Sequence, residues 1–579
     1  MPNKIIDMKK NMLFASALFQ LLFLFSCQQT TTTTDVLVIG GGTGGTAAGI
    51  QAARLGASTL IAEPTEWLGG MLTAAGVSAT DGNHAMPAGI WGEFRQKIWN
   101  HYGGPDKVET GWVSNTQFEP KVGAGILAEM AAAEPKLEVW FNTSFISAEK
   151  TPEGWKVRLA KEGKEQLIHC RILVDGTDLG DVAASVGCQY DLGMDARADS
   201  GEFMAPEQAN DIIQDFTWCA VLKDYGPDAD KTIPKPEGYD PAMFRCCCNP
   251  DPQGNPEPCP GEKPHPCETM LTYAKLPGEK YLINWPLHGN DYYANMVEMT
   301  EVQRQAVYEE AKKKTLQFVY YIQTELGHKH LGLADDEFPT ADQLPLIPYH
   351  REGRRINGLA RLDVNHVLDP HRQQLPLYRT GIAVGDYPID HHHKENLAAP
   401  EIEFPPVPSF NIPVGCLIPD NVDHLLMADK AISVTNIVNG SSRLQPVILQ
   451  VGQAAGIMAA LAASRKTSPR NLQVREIQAE MLKAKGYLMP FFDVAPDHPQ
   501  FEAIQRVAAA GLMQGKGEPY QWANRTWFYP DSLANLDALP AGLNIDKSKT
   551  WTRKELAAEI DRVLKPFETP VGFDGHTVK

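Results

Sequence analysis

The stretch DVLVIGGGTGGTAAGIQAARLGASTLIAE, from Asp35 to Glu63, limits this chain to very few folds. Val36 to Ile39 is a β-branched apolar run, suited to a parallel strand covered on both faces. Gly40, Gly42 and Gly45 set out GxGxxG, with Thr43 and Gly44 inside it and Gly49 one helical turn later. The first glycine permits a tight turn, the second lets backbone approach a pyrophosphate, and the third lets the following helix lie against the strand. Free N–H groups at the start of that helix, with its dipole, suit phosphates. Ser58 to Ala62 supplies a second strand, and Glu63 stands at its end as a hydrogen-bond acceptor for a ribose. Strand, glycine turn, helix, strand and acid in this order predict dinucleotide binding, with a bare structural turn as the alternative. The motif does not choose between NAD and FAD.

At 579 residues the chain is long enough for several domains, and 43% hydrophobic residues suffice for sizeable cores. The net charge of -18 repels nucleic acid and anionic lipid, and no basic stripe overrules it. Lys4, Lys9 and Lys10 precede an apolar run from Met12 to Phe25, the pattern of an export signal too short to span a membrane comfortably. LFSC, ending at Cys27, resembles a bacterial lipobox. It implies a lipid anchor at Cys27 as the only membrane contact, an exported location and a tether over residues 28–34.

WLGGMLTAAG, from Trp67 to Gly76, resembles the segment after the ribose acid in FAD-dependent oxidoreductases with the glutathione-reductase-like FAD fold. The resemblance implies that Gly69, Gly70 and Met71 lie along the cofactor. Ile172 to Val174 leads into Asp175-Gly176-Thr177, which resembles the family's second cofactor turn, followed by Gly180-Asp181. The stretch HLLMADKAIS resembles the strand that brings an acid, here Asp429, to the ribityl and phosphate side. NGSSRLQPVILQVGQAAGIMAALA resembles the final helix, with Gly452, Gln453 and Ala454 expected at the flavin's polar edge. The implied fold is α/β: a discontinuous Rossmann-type domain (35–190 and 406–466) with an inserted α+β cap (191–405), a linker (467–490) and a small helical module (491–579). That last segment resembles one S-layer homology module, through Phe492-Asp493-Val494, Ala503-Ile504, Gly511, Gly515, Phe528, Pro530 and Thr552-Arg553-Glu555. This implies contact with a cell-wall polymer, and a plain helical packing domain is the alternative.

Within the cap, LPLIPYHREGRRINGL and IAVGDYPIDHHH resemble two further family motifs. Hydride removal from an alcohol or amine needs a base, and hydride addition to an alkene needs an acid. His392 is the candidate, with Asp390 two residues away to orient it. Arg351, Arg354 and Arg443 are candidates for holding a carboxylate or developing oxyanion. Three consecutive histidines can also be a surface loop, and the arginines can tie the cap to the cofactor domain.

Cys246, Cys247, Cys248, Cys259 and Cys267 crowd one proline-rich loop. Disulfides suit an oxidising compartment, while three adjacent cysteines cannot supply the spacing of a ferredoxin-type cluster. No metal site is expected. The leading function is an FAD enzyme exchanging a hydride with a small substrate, carbohydrate-derived or carboxylate-bearing. The alternatives are a wall-associated binding lipoprotein on an FAD scaffold and an FAD enzyme without net redox. No second GxGxxG follows a strand, so the electron acceptor is a quinone, oxygen or another protein.

Overall fold

A computed structural model describes residues 32–251, 259, 263–520, 523–537, 539 and 543–578. The export signal and Cys27 lie outside the described residues. The central strand β1 spans Thr32–Ile39, and Val36, Leu37 and Val38 are fully buried in it. It begins inside the segment read as a tether, because Thr32, Thr33 and Thr34 pair in register with Ile168, His169 and Cys170. Helix α1, Thr43–Arg54, follows the glycine turn and leads to β2, Thr59–Ala62. Helices α2 (Gly89–Tyr102) and α3 (Pro120–Ala132) precede β3 (Leu137–Trp140), which extends the parallel sheet beside β2. Strands β4 (Thr143–Thr151), β5 (Gly154–Lys161) and β6 (Lys164–Asp175) form an antiparallel meander. They continue the same sheet, because β6 also runs parallel to β1, giving the order β3-β2-β1-β6-β5-β4.

The inserted region carries its own antiparallel sheet. It is built from β7 (Ala220–Asp224), β8 (Lys275–Leu276), β9 (Lys280–Ile283) and β10 (Leu331–Leu333) in the order β8-β9-β7-β10. The long helix of the insert is α4, Glu301–Thr324, started by a capping box between Thr300 and Gln303. Its buried side chains, Ala311, Phe318, Val319 and Ile322, join Trp218, Phe244 and Trp285 in a separate apolar cluster. The insert is narrower than its sequence boundaries: Ile356, Val364, Val384 and Ile389 pack into the main core instead.

Strand β11 (Gly381–Gly385) pairs with β12 (Phe410–Pro413), and β13 (Leu425–Met427) returns to the main sheet beside β6. Helices α5 (Asn436–Ser442) and α6 (Gln445–Arg465) close the cofactor domain. Among the described residues α6 is the one helix long and apolar enough to cross a membrane, but it is buried within the protein. It lies directly on α1: a Cβ added at Gly452 or Gly456 would run into the α1 backbone at Gly44 or Ala48. Glycines four apart therefore let two helix backbones touch.

The C-terminal segment is not a detached unit. The stretch read as a linker contains helix α7, Val474–Lys483, with Ile477, Met481 and Leu482 buried. Helices α8 (Phe501–Ala509) and α9 (Arg553–Leu564) follow. Phe491, Phe501, Ile504 and Phe528 are in the same apolar cluster as β1 and α6. The Gln505 side chain accepts from the Leu488 and Met489 N–H groups at 2.8 and 2.7 Å, fastening α8 to that core. Amphipathic helices of this kind reveal an apolar face in sequence but not which core receives it.

Candidate functional site

Two places hold the chemistry. At the glycine turn, a Cβ at Gly40 would come within 2.7 Å of the Gly176 carbonyl oxygen. One at Gly42 would meet the same oxygen at 2.9 Å and Asp429 Oδ2 at 3.1 Å. Close approach of the loop after β6 thus demands glycine there. The Gly44 N–H, in the first turn of α1, donates to Asp429 Oδ2 at 3.0 Å, and the Gly41 N–H donates to Glu63 Oε2 at 2.7 Å. Burial pushes the Glu63 carboxyl up to about 7, against the hydrogen bonds from Thr65 and Gly41. Thr43 Oγ1 donates to the Gly69 carbonyl at 2.7 Å, so the Trp67–Leu72 segment folds onto the turn. Gly69 and Gly70 both have positive φ, at 109° and 51°, as a chain doubling back here requires. Met71 is buried between this segment and the cap. Thr177 caps its own turn, its N–H and hydroxyl both donating to Asp175 Oδ1.

Gly452, Gln453 and Ala454 are elsewhere. Helix α6 starts at Gln445, so they sit in its third turn, away from its N-terminus. Gly452 meets α1, Ala454 is fully buried, and the Gln453 side chain binds Gln51 at 3.0 Å and the Ile90 N–H at 3.2 Å. The small residues of GQAAG serve the contact between two helices.

The second place is a cavity of about 680 Å³ between the cap and the cofactor domain. His392 and Asp390 line it together with Asp215, Asp291 and Asp386, and Trp91, Trp112, Tyr273, Trp285 and Tyr387 supply flat apolar faces. Ala523, from the C-terminal segment, completes the wall, and the neighbouring Asn524 N–H donates to the Asp386 carbonyl at 2.8 Å.

The imidazole of His392 is clamped at both ends. Nδ1 is 3.0 Å from Asp291 Oδ2, and Nε2 is 3.1 Å from Asp390 Oδ2. Asp291 is the acid the sequence did not offer: it stands 101 positions from His392, with no shared motif. Burial and the Arg351 guanidinium press the imidazole toward neutrality. Asp390 and Asp291 outweigh them, and its pKa stands above the ordinary value. Burial drives its neighbours the other way, His393 down to about 4 and His391 well below normal. The histidine run is therefore no surface loop, and the middle member alone is biased toward charge. Burial opposes ionisation of Asp390, but His392 and Arg443 hold it well below the usual carboxylate range. Arg351 and His392 do the same for Asp291. Burial pushes Asp81, Asp215 and Asp386 up to about 7. Burial and paired charges thus drive the carboxyl groups of one cavity to opposite sides of their ordinary range.

The arginines have other duties than those expected. Arg351 is only 1% exposed and donates to the Asp215 carbonyl at 2.9 Å, Thr217 Oγ1 at 3.0 Å and Asp291 Oδ1 at 3.0 Å. Arg354 binds Asp181, Glu298 and the Leu179 and Val297 carbonyls, away from the cavity. Arg443 holds Tyr349 OH at 2.6 Å and Asp390 Oδ2 at 2.9 Å. Their fixed forks are consumed by protein acceptors; Arg351 and Arg443 hold the cavity acids Asp291 and Asp390, while Arg354 does not reach the cavity.

Beside the cavity, Cys246 is bonded to Cys259 and Cys248 to Cys267, leaving Cys247 as a buried thiol. The Cys247 carbonyl accepts from Trp285 Nε1 at 2.8 Å, tying the crosslinked loop to the cavity wall.

Residues 35–481 match the family model described as FAD dependent oxidoreductase. The chain belongs to the FAD-dependent oxidoreductase family. It is an enzyme, and FAD is its cofactor. The turn fits that group: three glycines leave no room for side chains, the N–H groups around α1's first turn already hold carboxylates, and Glu63 ends beside them. Gly40, Gly42, Thr43, Gly44 and Gly45 would hold the pyrophosphate and Glu63 the ribose. No curated protein matches the chain. Solved structures with similarity include p-nitrophenol 4-monooxygenase PnpA from Pseudomonas putida DLL-E4, at 10% identity over 57% of this chain and 70% of that one, TM-score 0.28. The OxyS anhydrotetracycline hydroxylase from Streptomyces rimosus is 15% identical over 34% of this chain and 38% of its own, TM-score 0.25. The T. acidophilum thioredoxin reductase is 19% identical over 25% and 35%, TM-score 0.17. This chain spans well under half the length of the last two. The family assignment rests on the family match alone.

Proposed function

We propose that this enzyme oxidises a small polyhydroxylated substrate, removing a hydride from a carbinol carbon while the Asp390–His392 pair, in its neutral-imidazole form, receives the hydroxyl proton through Asp390 Oδ2. FAD, when bound, supplies the two-electron acceptor at N5. Asp291 holds Nδ1–H and fixes the tautomer, leaving Nε2 toward Asp390 and the cavity. Loss of the hydride and of the hydroxyl proton leaves a carbonyl, so the bonds balance. Asp390, with its side chain 32% exposed, is the acceptor that meets a substrate hydroxyl first.

The observation that carries this reading is the His392 clamp at the wall of an aromatic, acid-lined cavity. The charge of that wall favours a neutral polyol over a carboxylate-bearing substrate. Glu109, Asp215, Asp291, Asp386 and Asp390 line it against Lys394 and His392, and the nearby arginines are already paired. Aromatic faces suit the C–H surfaces of a sugar-like ring, and the acids suit its hydroxyls. The test is His392→Ala. It should keep its flavin yet reduce it at least about 100-fold more slowly with substrate. Near-normal reduction across pH would remove His392 from the mechanism.

We further propose an exported, lipid-anchored protein, supported by the LFSC motif and by two disulfides that suit an oxidising compartment. The proposal includes a quinone, oxygen or protein as acceptor and a wall-polymer contact through the C-terminal segment.

A further inference from the structure

The donors expected to receive a pyrophosphate are held by the chain itself. Asp429, 1% exposed, accepts the Gly44 N–H through Oδ2 at 3.0 Å, over the place where a Cβ at Gly42 would point. Its other oxygen, Oδ1, is 3.1 Å from Lys430 Nζ. That ammonium is almost wholly buried, and its second partner is Asp178 Oδ1 at 2.5 Å. A buried lysine between two carboxylates is costly to assemble and persists only when fully paired. The stretch thus places one cation and one N–H donor around a single carboxylate. A diphosphate needs the same surroundings.

We infer that Asp429 is an internal stand-in for phosphate at the start of α1, and that Lys430 is the cation that neutralises the FAD pyrophosphate once Asp429 releases the Gly44 N–H. Neither residue is a hydride or proton carrier. Lys430 is a cofactor-holding residue, and Asp429 sets how tightly the site retains its cofactor. With Asp429 on the Gly44 N–H and on Lys430, the anion seat is satisfied by protein groups. Asp429 can leave Gly44 without being stranded, because Oδ1 keeps its bond to Lys430.

Flavin retention tests this without reference to turnover. The full-length protein, purified with its flavin, is diluted serially, and the fluorescence of released FAD gives the dissociation constant. Asp429→Asn weakens the competitor for the N–H and frees the ammonium, so it should bind FAD about tenfold more tightly. Its thermal stability without flavin should fall, because Lys430 loses a partner. Lys430→Gln should bind FAD on the order of 10- to 100-fold more weakly, with a shallower dependence on salt. Lys430→Arg, which keeps the charge, should restore most of the affinity, separating charge from packing. Weaker or unchanged FAD binding in Asp429→Asn would overturn the inference. So would a Lys430→Gln protein that retains FAD like the parent.

Discussion

Asp291→Asn separates the catalytic duty of the His392 clamp from its structural one. The substitution keeps the shape of a side chain that is 1% exposed and removes its charge. One of the two carboxylates raising the His392 pKa disappears and Asp390 remains, so that pKa falls. The neutral base then exists at lower pH, and the acidic limb of the pH–rate profile moves down. The rate at the plateau should drop all the same, because an amide can also donate to Nδ1 and stabilise the wrong tautomer. A positioned general base is worth about 10²–10⁴-fold, and we expect a loss of roughly 100-fold or more in flavin reduction. Arg351 meanwhile loses the carboxylate it pairs with at 3.0 Å, and breaking a buried pair costs about 3–5 kcal/mol. Unfolding entropy of about 2 cal/mol/K per residue makes that a fall of only ~3–4 °C in Tm for a chain this long. In the parent, the raised His392 pKa adds stability that is complete below the ordinary histidine value of about 6.5. That contribution is lost as pH rises through the folded-state pKa. The assay is anaerobic stopped-flow reduction across pH, with calorimetry alongside. A variant with the parent's rate and an unmoved acidic limb would refute the clamp as the proton acceptor's support.

Gly42→Val places a branched side chain against the Gly176 carbonyl and Asp429, so the protein should purify without yellow colour; full flavin content would contradict the turn's role. Deleting residues 491–579 removes Phe491, Phe501 and Phe528 from the main core and Ala523 from the cavity wall, so insoluble or flavin-free protein is expected. A soluble, yellow truncation would show the segment to be separable. Denatured, unreduced protein should titrate Cys170, Cys188, Cys219, Cys247 and Cys416, and reductant should add four thiols from the Cys246–Cys259 and Cys248–Cys267 bridges. A count that does not rise on reduction would remove both bridges.

The opening strand, turn, helix and second strand were legible because their signals are local: β-branched runs, glycines at fixed offsets and an acid at a strand end. Asp390 and His392 were legible for the same reason, standing two residues apart. Asp291 was not, because its partner comes from another part of the chain and no spacing rule links them. The arginines were legible as anion holders or as ties between cap and cofactor domain, and the motif could not choose between the two. Sequence does not tell where a long side chain spends its hydrogen bonds, and Arg351 and Arg443 spend theirs on protein acceptors. Gly452 shows a related ambiguity: a glycine in a helix signals that something comes close, and here that is the α1 backbone and not a ligand. The tail's motif letters fall on residues that also pack. Phe528 and Ile504 fill the shared core whatever ancestry their pattern suggests.

Anaerobic titration of the purified yellow protein with neutral polyols, sugar acids and NAD(P)H, followed by visible absorbance, decides whether a neutral polyol is the reductant. A neutral polyol should bleach the flavin, its acid counterpart should do so poorly, and His392→Ala should stay yellow while bleaching far more slowly. Bleaching by NAD(P)H alone, or by polyols equally well with and without His392, would contradict polyol oxidation at this site.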